Sequence, residues 1–123
     1  YEARFSLTGK CNHKCIYCGP FSDGKEDNGY GNLSLKQIEI LGHLFKEKGL
    51  HIQLTGGEPT LRKDLTEIVQ ILSNSGIRDI GLTTNGSVIN QDYAQRLLDV
   101  GISDIHIHMP SLNYMAFKET TGV

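Results

Sequence analysis

The strongest constraint on the fold is a repeated unit of one helix followed by one strand. Gly49, Gly76 and Gly101 each separate a helix-like segment from a short apolar segment, and they are 27 and 25 residues apart. That spacing accommodates one strand, one helix and two short loops. A leucine-rich solenoid has a similar period, but its Leu-x-x-Leu-x-Leu consensus is absent. The repeat therefore predicts an α/β fold with parallel strands and right-handed crossovers.

The predicted order is β-α-β-α-β-α-β-α, with the first strand over Ala3–Thr8. Ser34 and Gln37 form a capping box before the first helix, and Asp64 with Glu67 is expected to do the same before the second. The apolar side chains predicted to face the core from the helices are Leu35, Ile38, Leu41, Leu44, Phe45, Leu65, Ile68, Val69, Leu72, Tyr93, Leu97 and Leu98.

The last two helices are predicted to begin at about Asn90 and about Ser111. Four βα units cannot close a barrel and leave a parallel edge exposed. They would form half of a larger α/β barrel, so residues 1–123 are expected to be an incomplete domain with both ends cut. Residues 19–33 form a polar, glycine-rich loop that is long for a βα connection and typical of a segment that covers a site.

Strand alternation places aliphatic side chains on one predicted sheet face and polar ones on the other. Filled barrels are apolar on both faces, so the polar face predicts a lumen that holds polar ligands and water. The alternative is an open sheet with a solvent-exposed polar face. The aliphatic positions are Phe5, Leu7, Leu50, Ile52, Leu54, Ile80, Leu82, Ile105 and Ile107. The polar positions are Arg4, Ser6, Thr8, His51, Gln53, Thr55, Gly81, Thr83, Asn85, His106 and His108.

The only three cysteines, Cys11, Cys15 and Cys18, lie in one loop after the first strand. Their spacing lets a short loop turn three thiolates toward one point, which favours an iron–sulfur cluster with one open metal position. The alternative is a zinc site with His13 or a distant residue as fourth ligand, although zinc cysteines usually have two-residue gaps. The odd count disfavours a disulfide framework.

The charge and hydropathy exclude some classes of function. The net charge of −2 and pI near 6.2 argue against a surface that coats nucleic acid. No run approaches the roughly 18 apolar residues of a membrane span. We therefore expect a cytoplasmic protein with no nucleic-acid or membrane partner.

Two further motifs follow the cysteine loop, and together they define a resemblance. Thr55-Gly56-Gly57-Glu58-Pro59 ends the second strand, and Thr83-Thr84-Asn85-Gly86 ends the third. With these motifs the chain resembles the radical S-adenosylmethionine (SAM) superfamily over almost all 123 residues, most closely the branch that contains the molybdenum-cofactor GTP 3′,8-cyclase. The resemblance implies the first four βα units of a partial (βα)6, TIM-barrel-like radical SAM core domain.

The resemblance also implies cofactors and partners. Cys11, Cys15 and Cys18 would hold a [4Fe-4S] cluster whose fourth iron is chelated by the amino and carboxylate groups of SAM. Reduction would split SAM into methionine and a 5′-deoxyadenosyl radical that abstracts hydrogen from substrate. An electron donor such as flavodoxin or ferredoxin, and a polar small-molecule or peptide substrate, would be the partners. The implied SAM-binding residues are Tyr17, Gly56, Gly57, Glu58, Thr84, Asn85 and His108.

Several of these assignments have structural alternatives. Gly56 and Gly57 would let backbone carbonyls approach the methionine amine. Tyr17 would lie near adenine, or simply pack against a strand. The alternative for Asn85 is a turn residue only, and the alternative for Glu58 is a carboxylate that anchors its loop rather than contacts a ligand.

The substrate positions depart from the cyclase branch. That branch carries two basic residues that grip triphosphate before Gly-Gly-Glu-Pro, and here His51 and Gln53 take their places, whereas Arg4 matches a basic substrate-binding position. Losing two cations weakens the argument for a triphosphate. His106 points the same way as His108, and one of them is expected to bond substrate or move a proton, with a satisfied interior histidine as the alternative. The implied substrate-binding residues are Arg4, His51, Gln53 and His106, with no catalytic residue assigned.

The sequence therefore predicts a radical SAM enzyme that acts on a polar substrate, such as a peptide, sugar or nucleoside. Two alternatives stay open. One is the GTP 3′,8-cyclase of molybdenum cofactor biosynthesis, and the other is a non-catalytic zinc- or cluster-binding module.

Overall fold

The computed structural model describes residues 2–18 and 32–123. The predicted covering loop, 19–33, lies almost entirely outside the described residues. Strands and helices alternate along the chain, as the glycine spacing predicts. The elements are β1 (Glu2–Ser6), α1 (Leu35–Lys48), β2 (His51–Thr55), a 3-10 turn (Pro59–Leu61), α2 (Leu65–Asn74), β3 (Ile80–Thr84), α3 (Gln91–Val100), β4 (Asp104–Ile107) and α4 (Tyr114–Thr121).

The four strands form one parallel sheet in the order β1-β2-β3-β4. This confirms the predicted α/β class, and a partial N-terminal barrel fits it. Arg4 pairs in register with Gln53, and Thr83 pairs with His106. Since the strands are parallel, all their carboxyl ends meet at one edge of the sheet. The motifs that end β2 and β3 are thereby brought beside the cysteine loop that follows β1.

The core lies between the aliphatic face of the sheet and helices α1 to α3. Glycines with positive φ end α1 and α3, at Gly49 and Gly101, as predicted. Burying these aliphatic side chains supplies most of the stabilisation, at roughly 1.5–3 kcal/mol each. The fully buried aliphatic residues are Leu7, Ile38, Ile52, Leu54, Leu65, Ile68, Val69, Leu72, Ile80, Leu82 and Leu97.

Three apolar residues predicted to be buried are exposed instead. Leu44 is 57% exposed, because it follows the buried Ile38 by six residues and so lies about 240° around the helix. Leu98 is 49% exposed, since its neighbour Leu97 takes the core-facing position. Ile107 is exposed at the end of β4, which is an edge strand of this sheet.

The helix starts are partly as predicted. Ser34 and Gln37 form the expected capping box on α1, and Asn90 caps α3. Asp64 makes no cap bond, because its carboxylate binds the guanidinium of Arg62 at 2.7 and 2.8 Å. The last helix begins later than predicted, at Tyr114, with Asn113 as its cap.

The first strand is shorter than the predicted Ala3–Thr8, since regular pairing stops at Ser6. Beyond it, Leu7 N–H donates to the carbonyl of Thr55 at 2.9 Å, and the carbonyl of Thr8 accepts from Gly57 N–H. In the described part of the chain, no helix has the length and apolar character needed to cross a membrane.

Candidate cluster and cofactor site

A cavity of about 180 Å³ lies at the carboxyl ends of the strands, where α/β folds place their ligands. Its walls come from the cysteine loop, the segments that follow β2 and β3, the segment after β4 and the end of α4. The lining residues are Cys11, His13, Cys15, Tyr17, Cys18, Thr55, Gly56, Gly57, Glu58, Thr83, Thr84, Asn85, His108, Pro110 and Thr121. The three thiols therefore share one cavity with all seven SAM-binding residues proposed from the sequence.

The backbone of the Gly-Gly-Glu-Pro loop is bonded directly to the cysteine loop. Gly57 N–H donates to the carbonyl of Thr8 at 2.7 Å, and Glu58 N–H donates to the carbonyl of Lys10 at 2.7 Å. A Cβ atom on Gly57 would overlap that Lys10 carbonyl oxygen. Only glycine can lie this close to the Lys10 backbone. The sequence did not indicate this reason for Gly57, which packs against the loop that carries the thiols.

The cysteine loop is also bonded to the end of α4. Lys14 N–H donates to the carbonyl of Thr121 at 2.7 Å, and Ile16 N–H donates to the carbonyl of Thr120 at 3.0 Å. His13 is buried, with its ring edge-on to Phe117 at a centroid distance of 6.0 Å. These contacts bring together two parts of the chain about 105 residues apart.

A side-chain network connects the cysteine loop to the β3 end. The Asn85 amide donates to Asn12 Oδ1 at 2.8 Å, and the Asn12 amide donates to Ser87 Oγ at 2.8 Å. Ser87 Oγ in turn donates to Asn85 Oδ1 at 2.7 Å. Asn85 therefore does not serve only as a turn residue. Its side chain helps to position the loop that carries the thiols.

Burial controls the protonation of the thiols. It raises the pKa of the Cys11 and Cys18 thiols, and the neighbouring thiols add to this effect. Metal ligation requires thiolates, so loading of this site must release protons. Three thiols on one loop that is bonded on several sides suit a cluster with three protein ligands.

Glu58 is almost fully buried, and hydrogen-bond donors surround its carboxylate. Oε1 accepts from Thr60 N–H at 3.1 Å, the Thr60 hydroxyl at 2.5 Å and the Thr84 hydroxyl at 2.6 Å. Oε2 accepts from Asn85 N–H at 2.7 Å. The geometry favours the anchoring role for Glu58, with Thr84 as its partner across the ends of β2 and β3.

Replacing Glu58 with Gln should destabilise the full-length protein by about 1–3 kcal/mol, because the amide would present N–H groups to a ring of donors. The loss is read from urea unfolding of the metal-free protein. Glu47→Gln, on the exposed side of α1, is the matched control and should change stability by less than about 0.5 kcal/mol. Equal stability of the two variants would exclude an anchoring role for Glu58.

Two aromatic rings stand at the mouth of the cavity. Tyr17 and His108 meet edge to face at a centroid distance of 5.3 Å, and both are exposed. Burial and the adjacent thiols raise the pKa of the Tyr17 phenol, so it stays neutral. This pair offers a partly apolar edge on which a heterocyclic ring could pack.

The four proposed substrate-binding residues lie on the polar face of the sheet, but the structure does not gather them into one cluster. Gln53 is buried, and its amide donates to the hydroxyl of Thr83 at 2.8 Å, which links it to the cavity. His51 bonds Gln53 at 2.9 Å. Arg4 and His106 have highly exposed side chains, 74% and 69%, and each pairs with an acidic residue on its own strand.

Several positioning residues were not identified from the sequence. The Arg62 guanidinium donates to the carbonyls of Leu7 and Leu33, both at 3.0 Å, and so ties β1 to the segment before α1. Asn12, Thr60 and Ser87 have the contacts described above. Thr60 and Arg62 lie one and three residues after the Gly-Gly-Glu-Pro motif. This proximity to the motif is the one sequence signal that could have identified them.

Comparisons with known proteins agree with this arrangement. The family model of the Radical SAM superfamily matches residues 5–121. A "Probable GTP 3',8-cyclase" of Sulfolobus acidocaldarius is 39% identical over 123 residues, which are 99% of this chain and 38% of that protein. A "GTP 3',8-cyclase" of Haemophilus influenzae is 42% identical, over all of this chain and 37% of that protein. The chain therefore spans less than two fifths of these relatives.

Solved structures show the same fold. Streptococcus suis SuiB bound to S-adenosylmethionine superposes with a TM-score of 0.80 at 22% identity, over 99% of this chain and 28% of SuiB. BtrN in complex with AdoMet and 2-DOIA gives 0.74 at 23%, over 97% of this chain and 54% of BtrN. The family match, which covers nearly the whole chain, and the three-thiol cavity lead to one assignment: this chain belongs to the Radical SAM superfamily.

Proposed function

We propose that the whole protein is a radical SAM enzyme in which Cys11, Cys15 and Cys18 hold a [4Fe-4S] cluster and the adjoining cavity binds SAM. When bound, the cluster supplies the electron that cleaves SAM to the 5′-deoxyadenosyl radical, which takes hydrogen from a polar substrate. The observation that carries this proposal is the lining of one cavity by three thiols and the ends of two neighbouring strands. SuiB and BtrN, which share this fold, have been solved with SAM bound, and this supports SAM as the cofactor of the present protein.

The surrounding residues divide into those that contact SAM and those that position the contacts. Gly56 and Gly57 line the cavity, where their backbone carbonyls would accept from the amine of SAM, and the ring pair of Tyr17 and His108 suits adenine. Glu58 and Thr84 bond each other and so hold the two loops in register. An electron donor such as flavodoxin or ferredoxin, and a polar small-molecule or peptide substrate, are the partners that this function requires.

A second candidate is the GTP 3′,8-cyclase reaction, because the curated relatives bear that name at 39–42% identity. The third, a non-catalytic zinc module, has less support. Its local fourth ligand would be His13, and that ring is buried against Phe117.

Anaerobic reconstitution of the full-length protein with iron and sulfide separates these functions. We expect the triple variant in which Cys11, Cys15 and Cys18 are Ala to bind about four fewer irons per chain than the unaltered protein. Dithionite and SAM should then yield 5′-deoxyadenosine only in the unaltered protein. One tightly bound zinc per chain, with no iron difference between the two proteins, would support the zinc module and refute the enzyme.

A further inference from the structure

The polar face of the sheet carries three carboxylates but only one Lys or Arg residue in the described part of the chain. Glu2, Asp79 and Asp104 lie at the amino ends of β1, β3 and β4, whereas Arg4 is the one Lys or Arg residue within the four described strands. Arg4 Nε bonds Glu2 Oε1 at 2.6 Å, and the guanidinium holds the pKa of that carboxyl below its usual value. Arg4, which matches a basic substrate-binding position, therefore already contacts a carboxylate through its Nε.

His51 is likewise committed to neighbours on both sides of its ring. Nδ1 lies 2.8 Å from Asp79 Oδ1, and Nε2 lies 2.9 Å from Gln53 Oε1. Two acceptors favour the doubly protonated ring, and the bonds to Gln53 and then Asp79 raise the pKa of His51. When His51 is protonated, its positive charge is paired with Asp79, so it adds little attraction for an anion.

Glycine at position 81 lets two acceptor oxygens lie close against the backbone of β3. A Cβ on Gly81 would overlap Gln53 Oε1 and would lie 2.8 Å from Asp104 Oδ1. Asp104 Oδ1 is itself buried and has no hydrogen-bond partner among the described residues. His106 Nε2 is 3.0 Å away, but its direction does not suit a hydrogen bond. An acceptor left in this state requires a donor, since an unsatisfied buried carboxylate oxygen is costly.

From these contacts, and resting on the proposed function, we infer that this face selects a substrate that presents hydrogen-bond donors, foremost a protonated amine, and rejects polyphosphates. Asp104, Gln53 and Asp79 determine the selection. A triphosphate here would face carboxylates that repel it, with no unpaired guanidinium or ammonium on the described strands. The inference concerns which substrate is accepted and leaves the cofactor chemistry unchanged.

The test is calorimetry on the full-length, cluster-loaded protein with SAM, using tripolyphosphate, GTP and spermidine as probes. We expect no binding of tripolyphosphate or GTP tighter than about 1 mM, and weak but measurable binding of spermidine. The isosteric double variant Asp79→Asn with Asp104→Asn should bind tripolyphosphate at least tenfold more tightly and spermidine at least tenfold more weakly. Asp99→Asn, on the exposed side of α3, removes one charge away from this face and should leave all three affinities unchanged.

Micromolar GTP binding by the unaltered protein that is lost in Arg4→Ala would overturn the inference and favour the cyclase. Unchanged probe affinities in the double variant would overturn it too, and Asp104→Asn alone serves if the double variant fails to keep its cluster. Formation of 5′-deoxyadenosine in the same samples tests the proposed function separately. Cleavage of SAM together with tight GTP binding would refute only the inference, whereas absence of cleavage would refute the proposed function.

Discussion

Single replacement of Cys11, Cys15 or Cys18 with Ala is expected to abolish the reconstituted cluster and all cleavage of SAM. Each thiolate is one of the three proposed protein ligands of the cluster, and residues 1–123 contain no other cysteine that could take its place. The remaining two ligands cannot hold the other irons firmly. The expected result is loss of about four irons per chain and of the absorbance that accompanies thiolate-bound iron.

The control is Ile16→Ala, which changes an exposed side chain in the same loop and should keep both iron and activity. Retention of full cluster content and SAM cleavage in any one cysteine variant would show that the three-ligand assignment is wrong.

Gly57→Val is expected to abolish cluster assembly as fully as loss of a cysteine does. The motif alone suggests a different effect of this substitution. From the motif alone, the substitution should weaken SAM binding and leave the cluster in place. In the structure a side chain at this position would displace the Lys10 carbonyl, which accepts the hydrogen bond of Glu58 N–H, and would push the cysteine loop away. We therefore expect loss of cluster assembly together with loss of SAM binding.

Iron content and SAM affinity of the full-length variant, measured on folded protein, distinguish the two routes. Gly49→Asn is a suitable control, because Cβ would meet nothing there and Asn tolerates the left-handed backbone. Normal iron content with weak SAM binding in Gly57→Val would show that Gly57 acts only in SAM binding. Normal iron content and normal SAM binding would show that the loop after β2 is not part of the site.

The local patterns of the sequence predicted a large part of this arrangement. The alternation of strand residues, the helical stripe of α2 and the capping box at Ser34 depend on residues within a few positions of one another. Because parallel strands end at a common edge, their order along the chain also predicts that the three motifs lie together. The errors at Leu98 and at the Asp64 cap fall where a neighbouring residue took the expected contact, whereas Leu44 lies on the side of α1 away from the core.

The charges of the polar face show where sequence reasoning stops. His51 was expected to contact substrate, and its proximity to Asp79 and Asp104 depends on the register between strands that are 25 or more residues apart in the chain. The same is true of the bonds from Asn12 to Asn85 and Ser87. None of these pairs leaves a periodic or local signal, since each partner is an ordinary polar residue in its own segment.

By itself the sequence determined the α/β class, the family and the grouping of three thiols in the cysteine loop, because these depend on short-range periodicity and on one dense motif. Only the tertiary structure decided that Gly57 supports the cysteine loop, that Glu58 bonds across two strand ends, and that Asp79 and Asp104 lie beside His51. The physical reason is that hydrogen bonds and charge pairs act over about 3 Å in space. Which side chains come that close is set by strand register and loop packing.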